Sequence, residues 1–357
     1  MTIKVLIVDD SAVVRKVLCG QLSEASDIEV IAAVQDPIFA QRYMAKSTPD
    51  VVILDVEMPR MDGLTFLKKI MQENPLPVIM CSALTQEHSS MSIEALSAGA
   101  IEVIAKPKMN LKTSLEASGH SIIESVRAAA RAKIAKGYSK KKLDLSKNVI
   151  RTKNTQISKS ASPNKPVRLK EIIAIGTSTG GTQALEYILP KISVNCPPIV
   201  VVQHMPKNFT KAFAKRLDDI CAVSVKEGSN GDVLKKGEVR IAPGGLHMTV
   251  QKNNAGLPLI LIKDGPPINR HKPSVDVLFR SIANTMANRA LGIIMTGMGD
   301  DGAKGLKLMK ERGAETFAQD EASSVVFGMP AVAVKMNAVD RQVALEDIPK
   351  LIEAYTL

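Results

Sequence analysis

The sequence lacks any apolar run long enough to span a membrane, and its N-terminus, Met-Thr-Ile-Lys-Val-Leu-Ile-Val-Asp-Asp, meets two carboxylates after a few apolar positions. Neither a signal peptide nor membrane insertion is expected. Cysteine is scarce. Cys19, Cys81, Cys196 and Cys221 lie far apart and form no C-x-x-C pair, which excludes a disulfide framework and suits a reducing, cytoplasmic setting. A net basic excess is lacking over most of the chain, although the net formal charge is +11. Residues 106–170 hold 17 Lys and Arg against Glu116, Glu124 and Asp144, which leaves the remainder close to neutral. A nucleic-acid-binding domain, whose basic residues would lie on a folded face, is therefore not expected. What is present is 357 residues with 45% hydrophobic and 23% charged content, enough for two globular domains.

Apolar runs at 4–8, 29–34, 51–54, 78–81 and 102–104 alternate with helix-length segments. Continuous apolar runs such as Val-Val-Ile-Leu suit parallel strands buried on both faces. After Pro107 the sequence predicts a helix over 111–135, then a Lys/Ser/Asn/Thr-rich stretch too polar to fold alone. A second α/β pattern follows, with runs at 171–175, 199–203, 239–242, 259–262 and 291–295, and an antiparallel excursion is expected within 223–262. The expected organisation is a domain over 1–108, a basic linker with a helix over 109–168, and a second domain over 169–357. Both domains are of the α/β class. The first is a flavodoxin-like five-stranded parallel sheet, the second doubly wound and mostly parallel.

Ligands of open α/β sheets bind beyond the carboxyl ends of strands. At those ends stand Asp9, Asp10, Asp55, Ser82 and Lys106. Clustered carboxylates repel one another unless a cation sits among them, and oxygen donors suit magnesium. One carboxylate could then attack phosphorus, with Lys106 and the Ser82 hydroxyl stabilising the transferred oxygens.

In the second half, Gly176-Thr177-Ser178-Thr179-Gly180-Gly181 lies between an apolar strand and a helical segment. A G-x-S-x-G turn exposes a serine hydroxyl. This loop has neither the G-x-x-x-x-G-K-[ST] nor the G-x-G-x-x-G spacing of a phosphate cradle. The serine needs a base. His204 ends the run 199–203, on the same sheet edge, and is favoured over His247 and His271. Asp300 and Asp301, after the run 291–295, both qualify to orient it. One of them is expected to cap the following helix, leaving the other for the histidine.

Asp9-Asp10, Leu54-Asp55 with Met58-Pro59 and Asp62-Gly63, Ser82-Ala83 and Lys106-Pro107 together resemble the receiver domain of two-component response regulators. The resemblance implies that Asp55 accepts a phosphoryl group from a histidine kinase. It also implies that Asp10 and Asp55 bind Mg2+ with help from Asp9 and the Glu57 backbone carbonyl. Val103 stands where the family often has an aromatic switch residue. From Lys170 onward, Gly-Thr-Ser178-Thr-Gly-Gly, Gln203-His204-Met205, Ile241-Ala242-Pro243-Gly244-Gly245, His271-Lys272-Pro273-Ser274-Val275-Asp276 and 296–302 resemble the chemotaxis protein-glutamate methylesterase family. That implies Ser178 as nucleophile, His204 as general base and Asp301 as its orienting carboxylate. Met298 and Thr179 are implied as oxyanion donors and His271 in a supporting role. Implied substrates are methyl esters, and some amides, of chemoreceptor glutamyl side chains, hydrolysed without a cofactor. The receiver is expected to cover Ser178 until Asp55 is phosphorylated. A transcription factor, the rival reading, would end in a short basic helical module in place of this α/β half.

Overall fold

The computed structural model describes residues 2–83, 86–107, 112–133 and 170–356. Its first half runs β1 (Ile3–Val8), α1 (Ala12–Leu22), β2 (Ile28–Val34), α2 (Pro37–Met44), β3 (Val51–Asp55), α3 (Gly63–Glu73), β4 (Val78–Ser82), α4 (Gln86–Ser97), β5 (Glu102–Ala105) and α5 (Lys112–Arg131). The strands pair in parallel in the order β2-β1-β3-β4-β5, so the chain reverses direction across the sheet between β1 and β3, where ligands of such folds bind. Side-chain caps start helices close behind their strands. Ser11 caps α1, Asp36 caps α2 ahead of Pro37, and Asp62 caps α3. The short β1–α1 turn holds Asp9 and Asp10 at the strand ends. The helix expected in the linker is α5, and it packs on α1, with Ile122, Ile123, Val126 and Ala129 in the core of the first half. That placement corrects the expected boundary at 108, because an amphipathic helix buries its apolar face on the nearest open core. The Lys/Ser-rich part of the expected linker lies mostly outside the described residues.

The second half runs β6 (Ile172–Thr177), α6 (Gly181–Ile188), β7 (Ile199–Gln203), α7 (Phe209–Ile220), β8 (Ser224–Glu227), β9 (Glu238–Ile241), β10 (His247–Lys252), β11 (Pro258–Lys263), α8 (Val275–Thr285), β12 (Ala290–Ile294), α9 (Ala303–Glu311), β13 (Glu315–Gln319), α10 (Met329–Lys335), β14 (Arg341–Val343) and α11 (Ile348–Glu353). Seven strands form a parallel sheet in the order β14-β13-β12-β6-β7-β9-β8. The antiparallel excursion is confined to the separate hairpin β10-β11. The run at 259–262 therefore belongs to that hairpin and not to the parallel sheet. Asn253 stabilises the hairpin's turn, its carboxamide oxygen accepting from the Ala255 and Leu257 N–H groups.

The halves share one apolar cluster, in which Leu96 and Val103 of the first half join Leu185, Met205 and Phe213 of the second. Around it α4 packs on α6 and α7. Gln183 Nε2 donates to the Leu96 and Ala100 carbonyls at 3.1 and 2.6 Å, and Ser97 Oγ donates to Glu186 at 2.8 Å. Ile175 lies at the centre of the second sheet, fully buried between Val201 and Ile293. Ile175→Ala is expected to lower stability by about 2–5 kcal/mol, read as a fall in urea midpoint. An unchanged midpoint would show that the sheet centre is not the stabilising core.

Candidate active site

Ser178 follows β6, and its turn is bound to neighbouring strand ends. The Ser178 N–H donates to Thr296 O at 3.0 Å, and Gln203 Nε2 donates to Ser178 O at 3.0 Å. Thr296 reaches back, its Oγ1 donating to Thr179 O at 2.9 Å. Two glycines allow the close approach. Gly180 has φ +78, in the left-handed region, and a Cβ at Gly297 would lie 2.7 Å from the Ser178 Cβ. The His204 N–H donates to Thr177 O at 3.1 Å, which places the histidine on the same edge.

Asp301 is fully buried and accepts five hydrogen bonds. Its Oδ2 accepts from His204 Nε2 at 2.8 Å and Val275 N at 2.7 Å. Its Oδ1 accepts from Ser274 Oγ at 2.8 Å, Asn269 Nδ2 at 3.0 Å and Asp276 N at 3.2 Å. Burial opposes ionisation, but the bonds from His204, Asn269 and Ser274 outweigh it and hold the carboxyl well below the usual range. An ionised acceptor at Nε2 keeps the proton on that nitrogen. His204 Nδ1 is buried and makes no hydrogen bond, so its lone pair is the basic one. Ser178 does not donate to it in this arrangement, and such contacts commonly tighten only when substrate displaces water. His271 stacks on His204 with ring centroids 3.6 Å apart and planes 8° from parallel. Burial first, and then the His204 charge, push its pKa down to about 3, so the rings stack without two positive charges.

The remaining expected residues separate clearly. His247 is occupied structurally, with Nδ1 accepting from the Ser274 N–H at 3.2 Å and Nε2 3.0 Å from Pro266 O. Asp300 is exposed and does not cap α9 with its side chain. The N-cap there is Gly302, at φ +92. The expectation that one of the pair caps the following helix is therefore not met: α9 has no side-chain cap, and Asp301 instead receives the first N–H groups of α8. Among the described residues, the Thr179 and Met298 N–H groups donate to no protein acceptor. Residues 297–302 do show G-x-G-x-x-G spacing, but the buried Asp301 carboxylate stands within that loop, which opposes an anionic ligand there.

In the receiver, carboxylate oxygens of Asp9, Asp10 and Asp55 lie within 4.8 Å of one another. Lys106 Nζ is 2.6 Å from Asp55 and 3.3 Å from Asp9. Burial pushes the Asp55 pKa up to about 6 against the Lys106 hydrogen bond, and burial also raises Asp9. Three hard oxygen donors against one ammonium leave an excess of negative charge, which fits a divalent cation. The Glu57 N–H donates to Asp55 Oδ1 at 3.3 Å, so its peptide is beside the cluster. Ser82 is buried at the end of β4, and Val103 is buried facing the other half.

The CheB methylesterase family profile matches residues 173–352, and the response regulator receiver domain profile matches residues 5–117. A Chromobacterium violaceum protein named protein-glutamate methylesterase/protein-glutamine glutaminase 1 is 51% identical over 99% of both chains. The chain belongs to the CheB methylesterase family. A Shewanella oneidensis relative, protein-glutamate methylesterase/protein-glutamine glutaminase 3, is 50% identical over 99% of both chains. The solved catalytic domain of Thermotoga maritima CheB methylesterase is 39% identical, covering 52% of this chain and 98% of that one, with a TM-score of 0.50.

In this CheB-family chain a cleft of about 440 Å³ lies between the halves, with Ser178, His204 and His271 on one side and Glu102, Val103 and Ile122 of the receiver on the other. Residue-type reasoning did not find Asn269, which joins Asp301 to Asp276, its Nδ2 2.7 Å from the Asp276 Oδ2. Nor did it find Glu102, which accepts from Thr179 Oγ1 at 3.3 Å. Asn269 takes a left-handed φ of 49, a conformation in which asparagine is enriched. His271 makes stability pH-dependent. Its folded pKa lies below the unfolded 6.5, so the unfolded chain binds the extra proton and stability falls as pH drops from about 6.5 toward about 3. Urea midpoints at pH 7 and 4.5 are expected to differ less in His271→Gln than in the wild type, and equal differences would contradict this.

Proposed function

We propose that this chain is a phosphorylation-controlled esterase that removes methyl groups from glutamyl γ-esters of chemoreceptors, and amide nitrogen from selected receptor glutamines. The observation that carries the chemistry is the buried, unpartnered Nδ1 of His204, a residue that lines the same pocket as Ser178, with its tautomer set by the Asp301 bond to Nε2. Ser178 Oγ attacks the ester carbonyl while Nδ1 takes its proton, and Asp301 stabilises the resulting imidazolium. The carbonyl oxygen gains charge beside the free N–H groups of Thr179 and Met298. Collapse breaks the C–OMe bond, and His204 returns the proton so that methanol leaves. Water, deprotonated by His204, then attacks the acyl-serine; the acyl–Oγ bond breaks, His204 returns the proton to Ser178 Oγ, and the free carboxylate leaves. An amide follows the same course and releases ammonia. No cofactor is needed for this half of the chemistry. His271 supports the His204 ring through their stack.

Asp9, Asp10, Asp55 and the Glu57 carbonyl would hold Mg2+ in the receiver. The cation would supply charge neutralisation for phosphoryl transfer. Asp55 carries the nucleophilic carboxylate, Lys106 pairs with the incoming oxygens, and the Ser82 hydroxyl donates to them. The donor would be a histidine kinase. Among the described residues no helix is long and apolar enough to cross a membrane, in keeping with action from the cytoplasm on receptor domains. In the unphosphorylated chain the receiver restricts the cleft, and phosphorylation favours an open arrangement.

Methanol release from methylated receptor membranes is expected to fall by about 10⁴ or more in Ser178→Ala and by about 10³–10⁴ in Asp301→Asn. Equal release by wild type and Ser178→Ala would refute the serine mechanism. A small-molecule phosphodonor with Mg2+ should raise wild-type release and leave Asp55→Asn unaffected. Activation of both would place the control elsewhere.

A further inference from the structure

We infer that Glu102 of the receiver acts as a built-in product mimic, seating its γ-carboxyl in the esterase's acyl site and so holding the enzyme off. The inference rests on the reading above that the unphosphorylated receiver restricts the cleft, and it names the group that does so. Glu102 begins β5, on the edge of the receiver facing the second half. Its carboxyl Oε2 accepts from the hydroxyl of Thr179, the residue after the nucleophile, at 3.3 Å. Ser125 of α5 also donates to this carboxyl from the receiver side. The space left among Glu102, Ser178, Thr179, Gln203 and His204 is about 20 Å³, room for about one water. A receptor glutamyl ester would need that volume for its own γ-carbonyl.

The chemistry of the occupant matches that of the substrate. Hydrolysis of a glutamyl methyl ester yields a γ-carboxyl on a two-methylene stem, which is the side chain of Glu102. Burial raises the Glu102 pKa, opposed by the hydrogen bonds from Ser125 and Thr179, as for a carboxyl enclosed away from water. Gln183 and Ser97 hold the interface elsewhere, through α4. β5 also links the two chemical centres. Lys106 directly follows this strand and bonds Asp55 at 2.6 Å, while its N–H donates to Ser82 O at 2.8 Å. Glu102 and Lys106 are four residues apart, about 13 Å of extended chain. A phosphoryl group on Asp55 takes over the Lys106 contact and so acts on the strand that carries Glu102.

The test uses the full chain, unphosphorylated, with methanol release as readout. Glu102→Ala is expected to raise kcat/KM about tenfold, the loss of the hydrogen bond accepted from Thr179. Glu102→Gln, which keeps the shape of a γ-carboxyl derivative, should stay near the wild-type rate. Acetate supplies the atoms that the alanine lacks, and it should return Glu102→Ala toward the wild-type rate where chloride at equal ionic strength does not. Gln183→Ala, which loosens the interface outside the cleft, should show no acetate effect. An unchanged rate in Glu102→Ala, or a rise that acetate cannot reverse, would overturn the product mimic while leaving receiver closure standing. Failure of a phosphodonor to activate the wild type would instead overturn closure itself.

Discussion

The ionised carboxylate of Asp301 is the constraint on which the catalytic half depends. Burying a charge is costly unless hydrogen bonds replace water, and here five donors from one side of the cleft do so. Two of them are the first N–H groups of α8, so a helix terminus contributes its positive end as well. Because the carboxylate is saturated, His204 has one tautomer, and its remaining lone pair lies on the buried, unbonded Nδ1. Ser178 directly follows β6, His204 directly follows β7, and Asp301 lies in the loop after β12. These three strands are adjacent in the sheet, which is why side chains far apart in sequence meet at one edge.

The same edge is where the receiver lies. One apolar cluster runs through both halves, and the polar contacts of Gln183 and Ser97 orient the packing of α4. At one end of β5 Glu102 meets Thr179, and just past the other end Lys106 meets Asp55. Under the proposed control, a displacement of that strand would alter both sites together and would need no large refolding of either sheet.

Much of this was legible in the sequence, for a physical reason. Parallel strands buried on both faces appear as unbroken apolar runs, so residues 51–54 and 199–203 stood out, and the polar residues after them marked the sites. Short or polar strands did not. Ser224–Glu227 has a single buried residue, and Arg341–Val343 is exposed at its first two positions. Glu315–Gln319 contains buried Thr316 and Gln319, which satisfy local partners and leave no apolar signature. The pairing of His204 with Asp301 in place of Asp300 depends on which side of the turn faces inward. Asn269 and Glu102 matter through contacts 32 and 77 residues away, and no local pattern reports such contacts.

The most direct measurement is the rate at which a serine-directed phosphonyl fluoride labels the full chain, followed by intact mass and peptide mapping, with and without a phosphodonor and Mg2+. Labelling is expected at Ser178 alone, slow without the phosphodonor and faster with it, and abolished in His204→Gln. Labelling at another residue would contradict the assignment of the nucleophile. Equal rates at Ser178 in both states would contradict a cleft closed by the receiver.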